Sequence, residues 1–97
     1  MRATRLGDQD SGHDECPPRS LNSASANVFV NGKGAGRIGD EYPVHECEVH
    51  KPHTGVIATG SSTVYINSKC AGRVGDAVSC GGTVAEGSAD VFVDSTE

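Results

Sequence analysis

A chain of 97 residues has room for one small domain, 1–97, and excludes a multidomain enzyme. Only 35% of its residues are hydrophobic and 13 are glycine, while Leu is scarce and Val, Ile, Ser, Asn and Asp recur, so the composition predicts an all-β fold of short strands and tight turns with a thin core. The net charge of −5 would repel a nucleic acid, no apolar run reaches the ~18 to 20 residues of a membrane span, and the opening MRATRLGDQD lacks the apolar stretch of a signal peptide.

Taken in chain order, two motifs alternate. Arg5-Leu6-Gly7-Asp8 recurs as Arg37-Ile38-Gly39-Asp40 and Arg73-Val74-Gly75-Asp76. A second motif begins at Ser25, Ser61 and Ser88 and centres on Val28-Phe29-Val30, Val64-Tyr65-Ile66 and Val91-Phe92-Val93. Residues 28–40 align with 64–76 without a gap. Such self-similarity marks a repeat architecture, here three units about a pseudo-threefold axis. Each apolar triplet reads as a strand centre, with Val28/Val30, Val64/Ile66 and Val91/Val93 on one face and Phe29, Tyr65 and Phe92 on the other. Asn31-Gly32 and the matching Asn67-Ser68 predict hairpin turns. Gly39 and Gly75 are predicted to hold a positive φ. Arg-x-Gly-Asp is read as a strand end with a turn and an Arg–Asp pair, since an adhesion motif would need Arg-Gly-Asp without the intervening residue.

The same register organises the metal-ligating residues. His13 lies five residues after Asp8, His45 five after Asp40 and Cys80 four after Asp76. About a threefold axis these would converge and leave one position of a tetrahedron to be filled from His45-Glu46-Cys47-Glu48-Val49-His50-Lys51-Pro52-His53. His53, His50 and Cys47 are the candidates. His53 is preferred because it precedes Val64 by eleven residues, as Cys80 precedes Val91. Three imidazoles and a thiolate would make a closed, structural Zn²⁺ site. Such a site can add of the order of 10 kcal/mol to folding, which a thin core needs. The competing reading takes the histidines as surface loop residues and the four cysteines as disulfides. Cys16 and Cys47 could pair or stay free, and Cys70, which replaces Gly34, is read as a small packed side chain.

Gly12-His13 followed by Cys16-Pro17-Pro18-Arg19, the three Ser-x-x-Val-aromatic motifs, His53-Thr54-Gly55 and Cys80-Gly81-Gly82 together resemble the PAAR-repeat family of spike tips. The eponymous tetrapeptide is degenerate, reading Gly34-Ala35-Gly36-Arg37 and Cys70-Ala71-Gly72-Arg73. The resemblance implies a small cone-shaped, non-enzymatic piercing tip with zinc near its apex, held by His13, His45, His53 and Cys80, and with a broad base on a trimeric β-helical spike, one chain per trimer. Phe29, Tyr65 and Phe92 would meet that partner. It further implies a place at the tip of a phage tail or of the extracellular, injected spike of a type VI secretion system, with transient contact at a target membrane. A minimal tip without cargo favours the phage tail. The rival from another class, a small zinc hydrolase, would need an open coordination position and a base such as Glu46 or Glu48. Four protein ligands argue against it, and a disulfide-stapled binding module is the third alternative.

Overall fold

The computed structural model describes residues 1–12, 17–47 and 50–94, over 44–47 and 50–53 as backbone only. No helix occurs among them. β1 (Phe29–Val30) pairs antiparallel with β2 (Lys33–Gly34), Phe29 opposite Gly34 and Val30 opposite Lys33. In the same register, β5 (Tyr65–Ile66) pairs with β6 (Lys69–Cys70), which sets Tyr65 opposite Cys70 and Ile66 opposite Lys69. The connecting residues Asn31 and Gly32 have φ of 52° and 78°, and Asn67 and Ser68 have 53° and 67°, the positive pair of a type I′ turn, whose twist suits a hairpin.

The third unit is assembled from the two ends of the chain. Phe92 bridges Arg2, Val93 N–H donates to the Met1 carbonyl at 2.7 Å, and Ala3 N–H donates to the Val91 carbonyl at 3.0 Å. Arg2-Ala3-Thr4-Arg5 thus takes the place of Gly34-Ala35-Gly36-Arg37 and Cys70-Ala71-Gly72-Arg73. Three backbone hydrogen bonds then close a ring: Gly36 N–H to Thr4 O at 3.0 Å, Gly72 N–H to Gly36 O at 2.9 Å, and Thr4 N–H to Gly72 O at 3.3 Å. One threonine and two glycines meet here because the space admits one side chain. A Cβ on Gly36 would stand 2.7 Å from Thr4 Cγ2 and 3.0 Å from Leu21 Cδ2, closer than packed atoms tolerate.

Each Arg-x-Gly-Asp segment leaves this ring as a turn. Asp8, Asp40 and Asp76 N–H donate to the carbonyls of Arg5, Arg37 and Arg73 at 2.9 to 3.0 Å. Gly7, Gly39 and Gly75 carry φ of 90°, 90° and 97°, as the third residue of a type II turn requires. The buried Asp8 accepts from Arg5 N–H at 2.9 Å, Nε at 2.8 Å and Nη2 at 3.1 Å. Asp40 and Asp76 receive the same fork from Arg37 and Arg73. These carboxylates are tolerated inside because each is fully hydrogen-bonded.

After each turn the chain makes an excursion and returns at an equivalent residue. Leu21, Ile57 and Val84 N–H donate to the carbonyls of Asp8, Asp40 and Asp76 at 2.8, 3.0 and 2.8 Å. All three side chains are fully buried, each worth about 1.5–3 kcal/mol of apolar transfer. The middle excursion is the longest. Its β3 (Glu41–Cys47) and β4 (His50–Val56) pair with Glu41 opposite Val56, Tyr42 opposite Gly55, His45 opposite His53 and Cys47 opposite His50. The register slips between Tyr42 and His45 and again between His45 and Cys47. β3 has the extra residue in the first interval, which contains Pro43, and β4 in the second, which contains Pro52. A residue without N–H is accommodated at such bulges.

Two apolar clusters result. Ala3, Ala35, Ala71, Val30 and Val93 pack with Ile66 on one side of the ring, and Leu21, Tyr42, Ile57, Val78 and Val84 pack with Ile38 and Cys80 on the other. One expectation is corrected here. Val28, Val64 and Val91 do not share the buried environment of Val30, Ile66 and Val93 but are exposed. The cause is local: Val28, Val64 and Val91 N–H bind the hydroxyls of Ser25, Ser61 and Ser88 at 2.9, 2.8 and 2.9 Å. The chain is therefore still in a serine-anchored turn at these valines, and the extended segment begins only at the aromatic residue.

Candidate metal centre and docking face

The face outside the alanine-lined cluster carries the three aromatic residues. Phe29 is 61%, Tyr65 59% and Phe92 40% exposed, and with the exposed valines beside them they form an apolar rim repeated three times about the axis. A cyclic polar network fixes it. Ser25 Oγ donates to Asn67 Oδ1 at 2.6 Å, Ser61 Oγ to Asp94 Oδ1 at 2.9 Å, and Ser88 Oγ to Asn31 Oδ1 at 2.5 Å. Arg37, Arg73 and Arg5 donate through Nη1 to the same three residues at 2.9, 2.6 and 3.1 Å. Each serine thus reaches the turn of the next unit, and the network ties the three units of the rim together.

Of the predicted metal ligands, Cys80 alone has a described side chain. His13 lies outside the described residues, as do the side chains of His45, Cys47, His50 and His53. Among the described residues no three His, Cys, Asp or Glu side chains surround a common point. The backbone nevertheless places the segments. His45 and His53 are directly opposed on β3 and β4. Two residues after His53, Gly55 lies against Cys80: a Cβ there would meet Cys80 Sγ at 2.9 Å and Arg19 Nη2 at 2.8 Å. Gly12, which precedes His13, lies against Gly82, where an added Cβ would stand 2.6 Å from the Gly12 carbonyl oxygen. Ser11 and Thr83 hold the two strands together, Ser11 N–H donating to Thr83 O at 2.8 Å and Thr83 N–H to Ser11 Oγ at 3.0 Å. Gly12 and the β3–β4 hairpin at Gly55 therefore both lie beside the Cys80–Gly82 segment, and Cys80 is a free, half-buried thiol. Cys70 is free as well. It packs against Gly60, whose Cβ would lie 3.2 Å from its own, as expected of a small packed residue.

Sequence reasoning missed Arg19, Asp10 and Tyr42. Asp10, Tyr42 and Val78 each follow the aspartate of an Arg-x-Gly-Asp turn by two residues and all three are buried. Arg19, Gly55 and Gly82 each precede Leu21, Ile57 and Val84 by two. The one side chain among these three positions is a guanidinium, and it lies where a Cβ on Gly55 would collide with it. Arg19 Nη2 pairs with Asp10 Oδ2 at 3.2 Å, Nη1 donates to the Pro43 carbonyl at 2.8 Å, and the backbone N–H binds Asp10 Oδ1 at 2.8 Å. Nη2 also stands 3.0 Å from Cys80 Sγ, and the guanidinium lies over the Tyr42 ring, 5.7 Å from its centroid. Arg19 Nε and Tyr42 Oη are buried with no hydrogen-bond partner among the described residues. Burial, reinforced by the charges of Asp10 and Asp8, pushes the Tyr42 hydroxyl well above its ordinary pKa, so it stays neutral. The signal that could have found Arg19 is its alignment with two glycines, visible once the return residues are recognised as equivalent.

The family model described as PAAR motif matches residues 11–86 and again residues 50–96. That one model fits two overlapping stretches reflects the internal repeat. No curated protein gave a significant match.

Proposed function

Because the chain belongs to the PAAR motif family, a family of spike tips of contractile injection machines, we propose that it is the zinc-stabilised cap of a trimeric β-helical spike, a phage tail spike in the first instance. The observation that carries this reading is the closed threefold ring with its rim of Phe29, Tyr65 and Phe92, exposed at 61%, 59% and 40%. Three equivalent apolar positions on one chain match the three equivalent strand ends that a symmetric trimer presents. Docking on it would cover an apolar rim and hide strand edges that otherwise invite pairing. The role is mechanical, and the chemistry of the other end suits it.

The donor set fits a structural metal. His45 and His53 are opposed across one hairpin, Cys80 lies against the same hairpin at Gly55, and the segment entering His13 lies against Gly82. His13, His45, His53 and Cys80 would hold the ion, with His50 the alternative to His53. Zinc would supply a cross-link between the three excursions. Four protein ligands leave no open position for a water nucleophile, which disfavours the hydrolase. A type VI spike is the second reading of the same geometry.

Two measurements test the proposal. Elemental analysis of the purified chain is expected to find one zinc per chain, and binding to the spike trimer is expected to be lost in a Phe29→Asp/Tyr65→Asp variant that still folds. Stoichiometric absence of metal overturns the zinc reading. Undiminished binding by the folded double variant overturns the docking face.

A further inference from the structure

We infer that Arg19 is the positioning residue of the metal centre, gripping the Cys80 sulfur through an N–H···S hydrogen bond that aims the thiolate at the ion. The inference rests on the zinc reading above and adds a residue to it. Four observations carry it. Nη2 is 3.0 Å from Cys80 Sγ, and the thiol has no other hydrogen-bond partner among the described residues. The guanidinium is itself immobilised, its side chain 5% exposed and paired with Asp10, which is 1% exposed, and tied to the Pro43 carbonyl in β3. Gly55 is held to glycine by the two atoms of this contact, since any Cβ there would collide with both Arg19 Nη2 and Cys80 Sγ. The threefold repeat gives no packing reason for an arginine, because the equivalent positions are Gly55 and Gly82.

Such an arrangement is costly without a purpose. A buried Arg–Asp pair is seldom better for stability than apolar packing, and Arg19 Nε is left without a partner among the described residues. A sulfur that accepts a hydrogen bond from a fixed cation has its orientation set before the metal arrives. Its negative charge is also offset once bound, and outer-shell partners of this kind govern metal affinity. Arg19 connects the three excursions as well: it leaves the first, bonds the β3 carbonyl of the second and reaches the cysteine of the third.

The test uses the full chain loaded with cobalt(II), whose thiolate-to-metal charge-transfer band reports on the sulfur directly. Arg19→Met keeps the length and removes every donor. Because Asp10 would then be a buried unpaired carboxylate, Arg19→Met/Asp10→Asn is prepared beside it. The expected result in whichever variant folds is a metal affinity about 10- to 100-fold lower in competition with a chelator. A charge-transfer band displaced to lower energy is expected with it, since a sulfur relieved of its hydrogen bond is a stronger electron donor. A wild-type chain with a thiolate–cobalt band and variants with the same band and the same chelator resistance would overturn the inference alone. A wild-type chain that takes up cobalt without a thiolate band, or none at all, overturns the metal reading and this inference with it.

Discussion

Arg73 Nη1 lies 2.6 Å from Asp94 Oδ2, and this ion pair is the third unit's version of the links from Arg5 to Asn31 and from Arg37 to Asn67. The neighbouring residues adjust to the change. Asn31 and Asn67 donate through Nδ2 to Asp90 and Asn27 at 2.9 and 2.8 Å, whereas Asp94, which can only accept, faces a donor, the Thr63 hydroxyl. Hydrogen bonds from Thr63 and Ser61, with Arg73 assisting, hold the Asp94 carboxyl below the usual carboxylate range. Those from Asn31 and Ser88 do the same for Asp90.

A pH dependence follows. The unfolded chain lacks these donors and takes up protons first, so the stabilisation is complete above the ordinary Asp value of about 4 and is lost as the pH falls through the lower folded values. Asp94→Asn restores the residue of the other two units and should leave Tm nearly unchanged at neutral pH while making its decline below about pH 4 shallower. Thermal melts of the two proteins across that range check this. An identical acid decline would show that Asp94 is not one of the titrating groups.

The ring at the axis has room for one side chain. Gly36→Ala should cost about 1–3 kcal/mol through overpacking against Thr4 Cγ2 and Leu21 Cδ2. Thr4→Ser removes that methyl and keeps the hydroxyl that donates to the Glu86 carbonyl at 3.0 Å, so the pair Gly36→Ala/Thr4→Ser should recover part of the loss. Denaturant unfolding of the two single variants and the double variant measures the coupling. Strict additivity would place the clash elsewhere.

Tyr42 is wholly buried, and its hydroxyl has no hydrogen-bond partner among the described residues. Removing a polar atom that makes no hydrogen bond does not forfeit one, so Tyr42→Phe should be as stable as the parent or more so. Tyr42→Ala should lose about 3–5 kcal/mol. Calorimetry on both variants decides it, and a large destabilisation by Phe would mean that the hydroxyl is bound in solution.

Local signals made much of this fold legible in the sequence. Asn31-Gly32, the Arg-x-Gly-Asp turns and the first two apolar triplets each act over a few residues, and the structure has hairpins and turns at all of them. All three units were legible, but the strand partner of the third was not, because it comes from residues at the far end of the chain, where no local pattern points. The exposed valines were misassigned because the serine hydroxyl, not a strand partner, binds their N–H groups. The spacing singled out Cys80 but passed over Arg19, which lies against it. A buried arginine is identifiable only from what surrounds it.

Single substitutions should sort the metal ligands from their neighbours. Cys80→Ser is expected to weaken zinc retention and lower Tm, since a hydroxyl is a far poorer ligand than a thiolate, and Cys70→Ala to do neither. His53→Ala should lose metal while His50→Ala stays near the parent. The reverse outcome would transfer the ligand role to His50. Chelator competition followed by elemental analysis reads all four.

The central claim is that three unequal units in one chain imitate the threefold axis of three identical ones. Native mass measurement of the complex with the spike tests it most directly: one copy of this chain per spike trimer is the result expected, and three copies per trimer would contradict it.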